Sequence, residues 1–361
     1  MSSDPSFLKW AREHQGEALI KGALLEPRYP HDYVGAALVV KGVLYFRDAY
    51  RPEVRHALQS CFDGYAELAE DHLKWLWQDG KDGVPLRQGH LDASVLAAST
   101  KDEPLGVYVT SGEKSIDAGF WEFHAFGFAQ WQEKMGTWGP NALVFTMPLL
   151  HVAENPLAFQ TLFVDFARRL NAIHGYGGYG VNLSVARREP NEATEYWLAQ
   201  QFSGLDVGHP FMLAEDLAKR IKGVSWLTAL DAQFVKEAGG LPTLRNELPP
   251  DWFALYPCGD GIVIQAGPQP EAGAADKEAG RPTMPASYVI ENAALREIRA
   301  TSVGPLQQGT STGDAPLFNT AGHSDKWLAR FDVPEADLLG YKAALLEMPP
   351  LQPDSTLPDR L

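Results

Sequence analysis

Few residues in this 361-residue chain have types and spacings that could do chemistry. Gly175–Tyr176–Gly177–Gly178–Tyr179–Gly180 satisfies the GxGxxG string of a dinucleotide site. That site needs a strand before the glycines and a helix after them, so that helix amides face the pyrophosphate. Here a helical pattern precedes and strand-like Val181–Val185 follows, so the glycines read as a sharp turn from helix into strand. Gly309–Thr310–Ser311–Thr312–Gly313 matches the GxSxG string of a nucleophile elbow. Its flanks, Gln307–Gln308 and Asp314–Ala315–Pro316, belong to a loop rather than to a strand-to-helix turn, and nearby His323 and Asp325 do not make a triad by proximity along the chain. The ten histidines are scattered and form no HExxH pair. His174, beside Gly175, reads as a helix-end residue at the negative pole of the dipole. No catalytic residue, metal or cofactor is expected. A hydrolase built from distant residues stays open as the alternative, and it would need a pocket around His124 or His151.

Charge and cysteine usage narrow the class. The chain carries 46 acidic against 31 basic side chains, a net charge of −15. Both halves are acidic, with 16 basic against 22 acidic over residues 1–180 and 15 against 24 over 181–361. Phosphate binding wants a basic surface, so nucleic acid is not an expected partner. Cys61 and Cys258 lie far apart with no CxxC, which excludes a disulfide framework and fits a reducing compartment. No signal-peptide core or membrane span is visible, so a cytoplasmic location is expected and no membrane partner.

The elements that would position any site read as follows. Gly35–Phe46 is a strand or a hairpin about Lys41–Gly42, and Arg51–Trp77 is the clearest helix. Leu105–Thr110, Gly119–Phe128 and Asn141–Leu150 are strand candidates. A second helix opens at Asn155–Pro156 and stops at Gly175, followed by strand Tyr176–Val185. Shorter helices are expected over 192–202 and 213–222, a helical turn over Asp231–Ala238, and a hairpin about Pro257–Gly261. Asp332–Val333–Pro334–Glu335 resembles a capping box opening a short helix over 335–347. The expected fold is α+β, with mixed or mainly antiparallel sheets and packed helices. The strand–helix passages near 36–77 and 141–174 are candidate similar subdomains. The layout is a lead-in over 1–35, one α+β domain over 36–299, and a loop-rich C-terminal extension over 300–361.

Two features stand out as candidates for binding. Trp131 and Trp138 sit in the polar stretch Gln130–Gly139, where an exposed aromatic could anchor a partner. The connector over 79–103 carries Asp79, Asp82, Asp92, Asp102 and Glu103, a candidate partner-facing acidic patch. A scaffold or other non-catalytic binding module could also use such tryptophans.

An ordered set of strings then resembles the type VI immunity family. It comprises Phe46–Arg47, Pro52–Glu53–Val54–Arg55, Cys61–Phe62, His174–Gly175–Tyr176–Gly177–Gly178–Tyr179–Gly180, and Phe202–Ser203–Gly204–Leu205–Asp206. It continues through Ile221–Lys222–Gly223–Val224–Ser225–Trp226–Leu227–Thr228, Gly239–Gly240 and Ile264–Gln265–Ala266–Gly267–Pro268–Gln269–Pro270. The resemblance implies a non-enzymatic protein that binds and neutralises a cognate type VI secretion effector in the producing bacterium. Such effectors are often nucleases encoded by an adjacent gene. It implies no catalytic residues, and none of these strings falls within 300–361. An acidic inhibitor would be steered to the basic cleft of a nuclease, although 31 basic residues would interrupt full mimicry of a phosphate column.

Overall fold

In the computed structural model, the structure describes residues 18–26, 28–78, 81–87, 91, 95–96, 102–136, 138–273, 275–276, 281–282, 284–309 and 316–361. The strands are β1 (Leu19–Lys21), β2 (Val34–Phe46), β3 (Trp75–Gln78), β4 (Val84–Pro85), β5 (Leu105–Thr110), β6 (Glu122–Gly127) and β7 (Asn141–Pro148). They continue with β8 (His174–Leu183), β9 (Leu227–Leu230), β10 (Phe253–Cys258), β11 (Gly261–Ala266), β12 (Ala275–Asp276) and β13 (Arg281–Pro282). The helices are α1 (Pro52–Ala69), α2 (Gln130–Met135), α3 (Leu149–Glu154), α4 (Pro156–Leu170) and α5 (Glu192–Gln201). Further along are α6 (Ala232–Glu237), α7 (Leu241–Glu247), α8 (Ala286–Ala294), α9 (Ala321–Leu328) and α10 (Glu335–Leu346).

One antiparallel sheet organises the fold, with strand order β10-β11-β9-β8-β2-β7-β6-β5-β3-β4 and β1 added beside β2. Its central strand, β2, is thirteen residues of almost unbroken apolar sequence, buried from Gly35 to Phe46, as a strand covered on both faces should be. Lys41–Gly42 makes no hairpin. The strand runs straight through, pairing Lys41 with Thr146 on one side and Gly178 on the other. With helices packed on this sheet, the fold is α+β.

Helices α1 and α4 lie against each other on one face of the sheet. The spacing of Leu58, Cys61, Phe62 and Tyr65 gives α1 its buried stripe, and Phe159, Phe163 and Phe166 do the same for α4. Phe145 of β7 meets all three α4 rings, at centroid distances of 5.3, 6.3 and 5.0 Å. The two strand–helix passages therefore share one sheet and one continuous core.

The glycine string falls within β8, all of it buried, so it is not a helix-to-strand turn. Helix α4 already ends at Leu170, capped by Asn171 in the left-handed region at φ 48°, and Gly175 is no stop signal. The glycines are there for close packing. A Cβ on Gly177 would sit 3.1 Å from the ring of Phe163, and one on Gly175 would sit 2.4 Å from the carbonyl oxygen of Val43. His174 is accordingly a buried strand residue whose Nε2–H donates to Leu217 O, 2.8 Å away, rather than a helix-end cation.

The opposite face is covered by irregular chain over residues 203–223 together with helices α6 and α8. No helix forms over 213–222. Leu217 N keeps one helical bond to Leu213 O, but Leu217 O is taken by His174, Ile221 N donates to Ile298 O and Ala300 N to Ile221 O, so long-range bonds stand where the helix would continue. Trp327, Leu328, Phe331, Leu345 and Leu351 belong to the same hydrophobic cluster as the sheet. The last residues dock as well: Ser355 O accepts from Gln160 and Gln265, and Leu361 N donates to Leu255 O. Asp332 makes no capping box. It pairs with Arg299, and Pro334 occupies the position before α10.

Overpacking β8 tests this arrangement. Gly175→Ala should lower the unfolding free energy by about 1–3 kcal/mol in urea denaturation. An unchanged midpoint would contradict the close approach of β8 to β2.

Candidate partner-binding surface

The polar face of the sheet holds the densest set of titratable groups. Asp206 accepts from Lys222 Nζ at 2.5 Å and lies 3.9 Å from Lys41 Nζ, with all three side chains buried. Lys222 also donates to Val207 O and to the Tyr176 hydroxyl, and Lys41 donates to Val181 O. Burial pulls the Lys222 ammonium below its usual range, and Asp206 opposes that shift. Asp206 Oδ1 and both ammonium groups are hydrogen-bonded in the interior, while Asp206 Oδ2 has no hydrogen-bond partner among the described residues and faces Lys41 only as an ion pair.

Nearby, Lys41, Glu122, His124, Tyr108, Arg188 and His209 line a cavity of about 70 Å³. Burial raises the Glu122 carboxyl to about 7 and lowers the His124 imidazole to about 3. The cavity has room for a few water molecules and falls well short of the roughly 300 Å³ typical of small-molecule sites. His151 packs edge-on to Trp121 at 5.2 Å. Among the described residues, no cluster of three or more His, Cys, Asp or Glu could hold a metal, and Cys61 and Cys258 are buried free thiols. No described helix is long and apolar enough to cross a membrane.

A different region gathers the sequence candidates. The register places the end of β3, the start of β5, the end of β6, the start of β7 and the end of β2 along one end of the sheet. Gln78 pairs with Val107, Leu105 with Gly127, Phe126 with Ala142, and Phe46 with Asn141. Asp82, Asp102, Glu103, Trp131 and Trp138 all lie on segments leaving that end, and all are exposed. Asp79 and Asp92 lie outside the described residues. Trp131 Nε1–H reaches Asp102 O at 3.4 Å, a contact between residues 29 positions apart.

Anchoring of this surface comes from Glu133. Its carboxylate accepts from the backbone amides of Asp48 and Ala49 and from Asn141 Nδ2, tying α2 to the β2–α1 connection and to β7. Trp138 stands over Phe128 at 5.9 Å, and Phe128, Phe126 and Phe211 continue inward at 4.9 and 5.4 Å. Gly139, at φ +76°, lets the chain press on residue 214, where a Cβ would lie 2.4 Å from the carbonyl oxygen of Ala214. The 211–216 segment is therefore part of the same surface, which the sequence reading missed.

Trp131, Met135, Trp138 and Met212 are 52, 59, 43 and 55% exposed, so four large apolar side chains stand in water on two touching segments. Methionine adapts its shape and tryptophan supplies rigid area, a combination suited to docking. Asp82, Asp102, Glu103, Glu215 and Asp216 are exposed around them, with Lys134, Lys219 and Arg220 interspersed. A cleft of about 570 Å³ opens beside Trp138, lined by Arg47, Arg220, Asp231 and Glu237 among others.

Comparison with known proteins places this chain in context. The model of the TsiV family, described as type VI immunity for VRR-NUC, matches residues 57–331. A solved structure described as Pseudomonas aeruginosa T6SS protein PA0821 is 40% identical, with a TM-score of 0.89 over 99% of this chain and 100% of that one. No curated protein matches.

Two measurements separate interior from surface. Asp206→Ala should lower stability by about 3–5 kcal/mol because it strands buried ammonium groups, whereas Trp131→Ala should change it by about 0.5 kcal/mol or less. Equal effects in chemical denaturation would contradict the assignment. Glu122 retains its proton in the fold up to about pH 7 but loses it near 4.5 when unfolded, so its contribution falls as pH rises between those values. Glu122→Gln should therefore gain stability relative to the parent across that window, on the order of 3 kcal/mol in total. A pH-independent difference would show that Glu122 titrates normally.

Proposed function

The chain belongs to the TsiV family, type VI immunity for VRR-NUC, and on that premise we propose that it binds and neutralises a cognate type VI effector nuclease in the cytoplasm of the producing cell. The effector is a basic VRR-NUC domain encoded by an adjacent gene. The role is inhibition by binding, without catalysis, a cofactor or direct contact with nucleic acid. The observation that carries the docking site is the cluster of exposed Trp131, Met135, Trp138 and Met212 at one sheet end, with Asp82, Asp102, Glu103, Glu215 and Asp216 around it.

The physics divides the work. A net charge of −15 draws a basic domain in and accelerates encounter, and the aromatic anchors, once desolvated, slow release. The interspersed lysines and arginines exclude a continuous phosphate-like column, so the aromatic centre sets the register and the carboxylates steer.

Co-expression with the product of the adjacent gene should rescue growth, and the two proteins should co-purify. The association rate should fall several-fold between about 20 mM and about 500 mM salt. Trp131→Ala with Trp138→Ala should raise the dissociation rate by about 30-fold or more, at about 1 kcal/mol or more per anchor. Absence of rescue would refute the inhibitor reading; rescue with unchanged kinetics in the double variant would move the docking site elsewhere.

A further inference from the structure

A cavity of about 450 Å³ opens between α5 and α9 and shares no lining residue with the sheet-end cleft. Its volume lies within the range of small-ligand sites. Tyr196, Phe318 and Trp327 form its aromatic wall, and His323, Lys326, Arg330 and Asp332 supply its charged and titratable groups. Asp332 is already committed, accepting from Arg299 and from Asn292 Nδ2. The uncommitted charge facing the cavity is therefore cationic, in a protein whose net charge is strongly negative.

Arg330 is the unusual group. Its guanidinium lies 3.5 Å from the ring centroid of Trp327 and 4.3 Å from that of Phe331. Nε donates to Ser203 O at 2.7 Å and Nη1 to Trp327 O at 3.2 Å, and Nη2 has no hydrogen-bond partner among the described residues. No described carboxylate lies within ion-pair distance of it, and Lys222 stands over the same indole at 5.4 Å. Burial lowers the guanidinium to about 9, which leaves it charged at neutral pH. Asp206 acts on it only from beyond ion-pair distance and is already paired with Lys222, so a fixed guanidinium with an unused N–H and no carboxylate in contact is a ready receptor for a carboxylate or phosphate oxygen.

We propose that this cavity binds a small organic anion, a carboxylate or phosphate group on a planar apolar body. The charged end meets Arg330 Nη2 and Lys326, and the body lies against Tyr196 and Phe318. The proposal stands independently of the effector-binding reading.

Calorimetric titration of the full chain with phenyl phosphate, phenylacetate, inorganic phosphate and benzylamine tests it. At least one aromatic anion should bind saturably, with Kd at or below about 1 mM; which one binds distinguishes a phosphate from a carboxylate ligand. Inorganic phosphate should bind at least about tenfold more weakly, benzylamine should not bind, and Lys326→Gln should weaken the aromatic anion by about tenfold. Arg330→Gln should abolish binding, and should that variant fail to fold, the exposed Lys326→Gln decides. No saturable binding of either aromatic anion, equal binding of benzylamine or inorganic phosphate, or full affinity in Lys326→Gln would overturn the proposal.

Discussion

The carboxylate of Asp206 holds the two lysines that the sheet buries, Lys41 on the central strand and Lys222 on the irregular segment that covers it. A buried ammonium without a partner is costly, so neither lysine would tolerate the loss of this one carboxylate. The three residues are 165 and 16 positions apart along the chain, and their meeting fixes how the covering segment sits on β2. Several strings of the family signature converge here. Tyr176 comes from the glycine-rich strand, Asp206 from Phe202–Asp206, and Lys222 from Ile221–Thr228. Gln265, from a further string, bonds Ser355 O and so ties down the C-terminal segment. These strings of the signature thus meet as packing and polar contacts in the interior, whereas Arg47, Pro52 and Glu53 of the first strings are exposed.

That interior determines what the surface can present. The face under α1 and α4 is apolar and close-packed, while the opposite face is polar and sealed by chain from residues 203–223 together with α6 and α8. Once both faces are sealed, the connections at the strand ends are left facing water. Glu133 fixes α2 on two of them, which holds Trp131, Met135 and Trp138 outward on a short, anchored element. Large apolar groups kept exposed in this way, next to acidic side chains, suit a preformed docking surface.

Periodicity made α1, α4 and the β10–β11 hairpin legible, because their buried stripes are local patterns. Long-range constraint hid the rest. Lys41–Gly42 looks like a turn because a lysine inside a strand makes sense only once Asp206 is known to lie across from it. Leu213, Leu217 and Ile221 carry helical spacing, yet beyond a single turn closed by Leu217 N and Leu213 O their segment spends its backbone groups on His174, Ile298 and Ala300. Gly175 matches a helix stop by composition, and its real constraint is the carbonyl of Val43 on the neighbouring strand. For the surface, the tryptophans and the acidic connector were visible as residue types, but the contact of Trp131 with Asp102 and the addition of Met212 come from sheet register.

The central claim is that the effector docks on the sheet end around α2, and amide hydrogen exchange with and without bound effector tests it most directly. Strong protection should appear in residues 128–136 and 211–216, with little change in α1, α4 or α10. Protection confined to those helices, with 128–136 and 211–216 unchanged, would contradict the account.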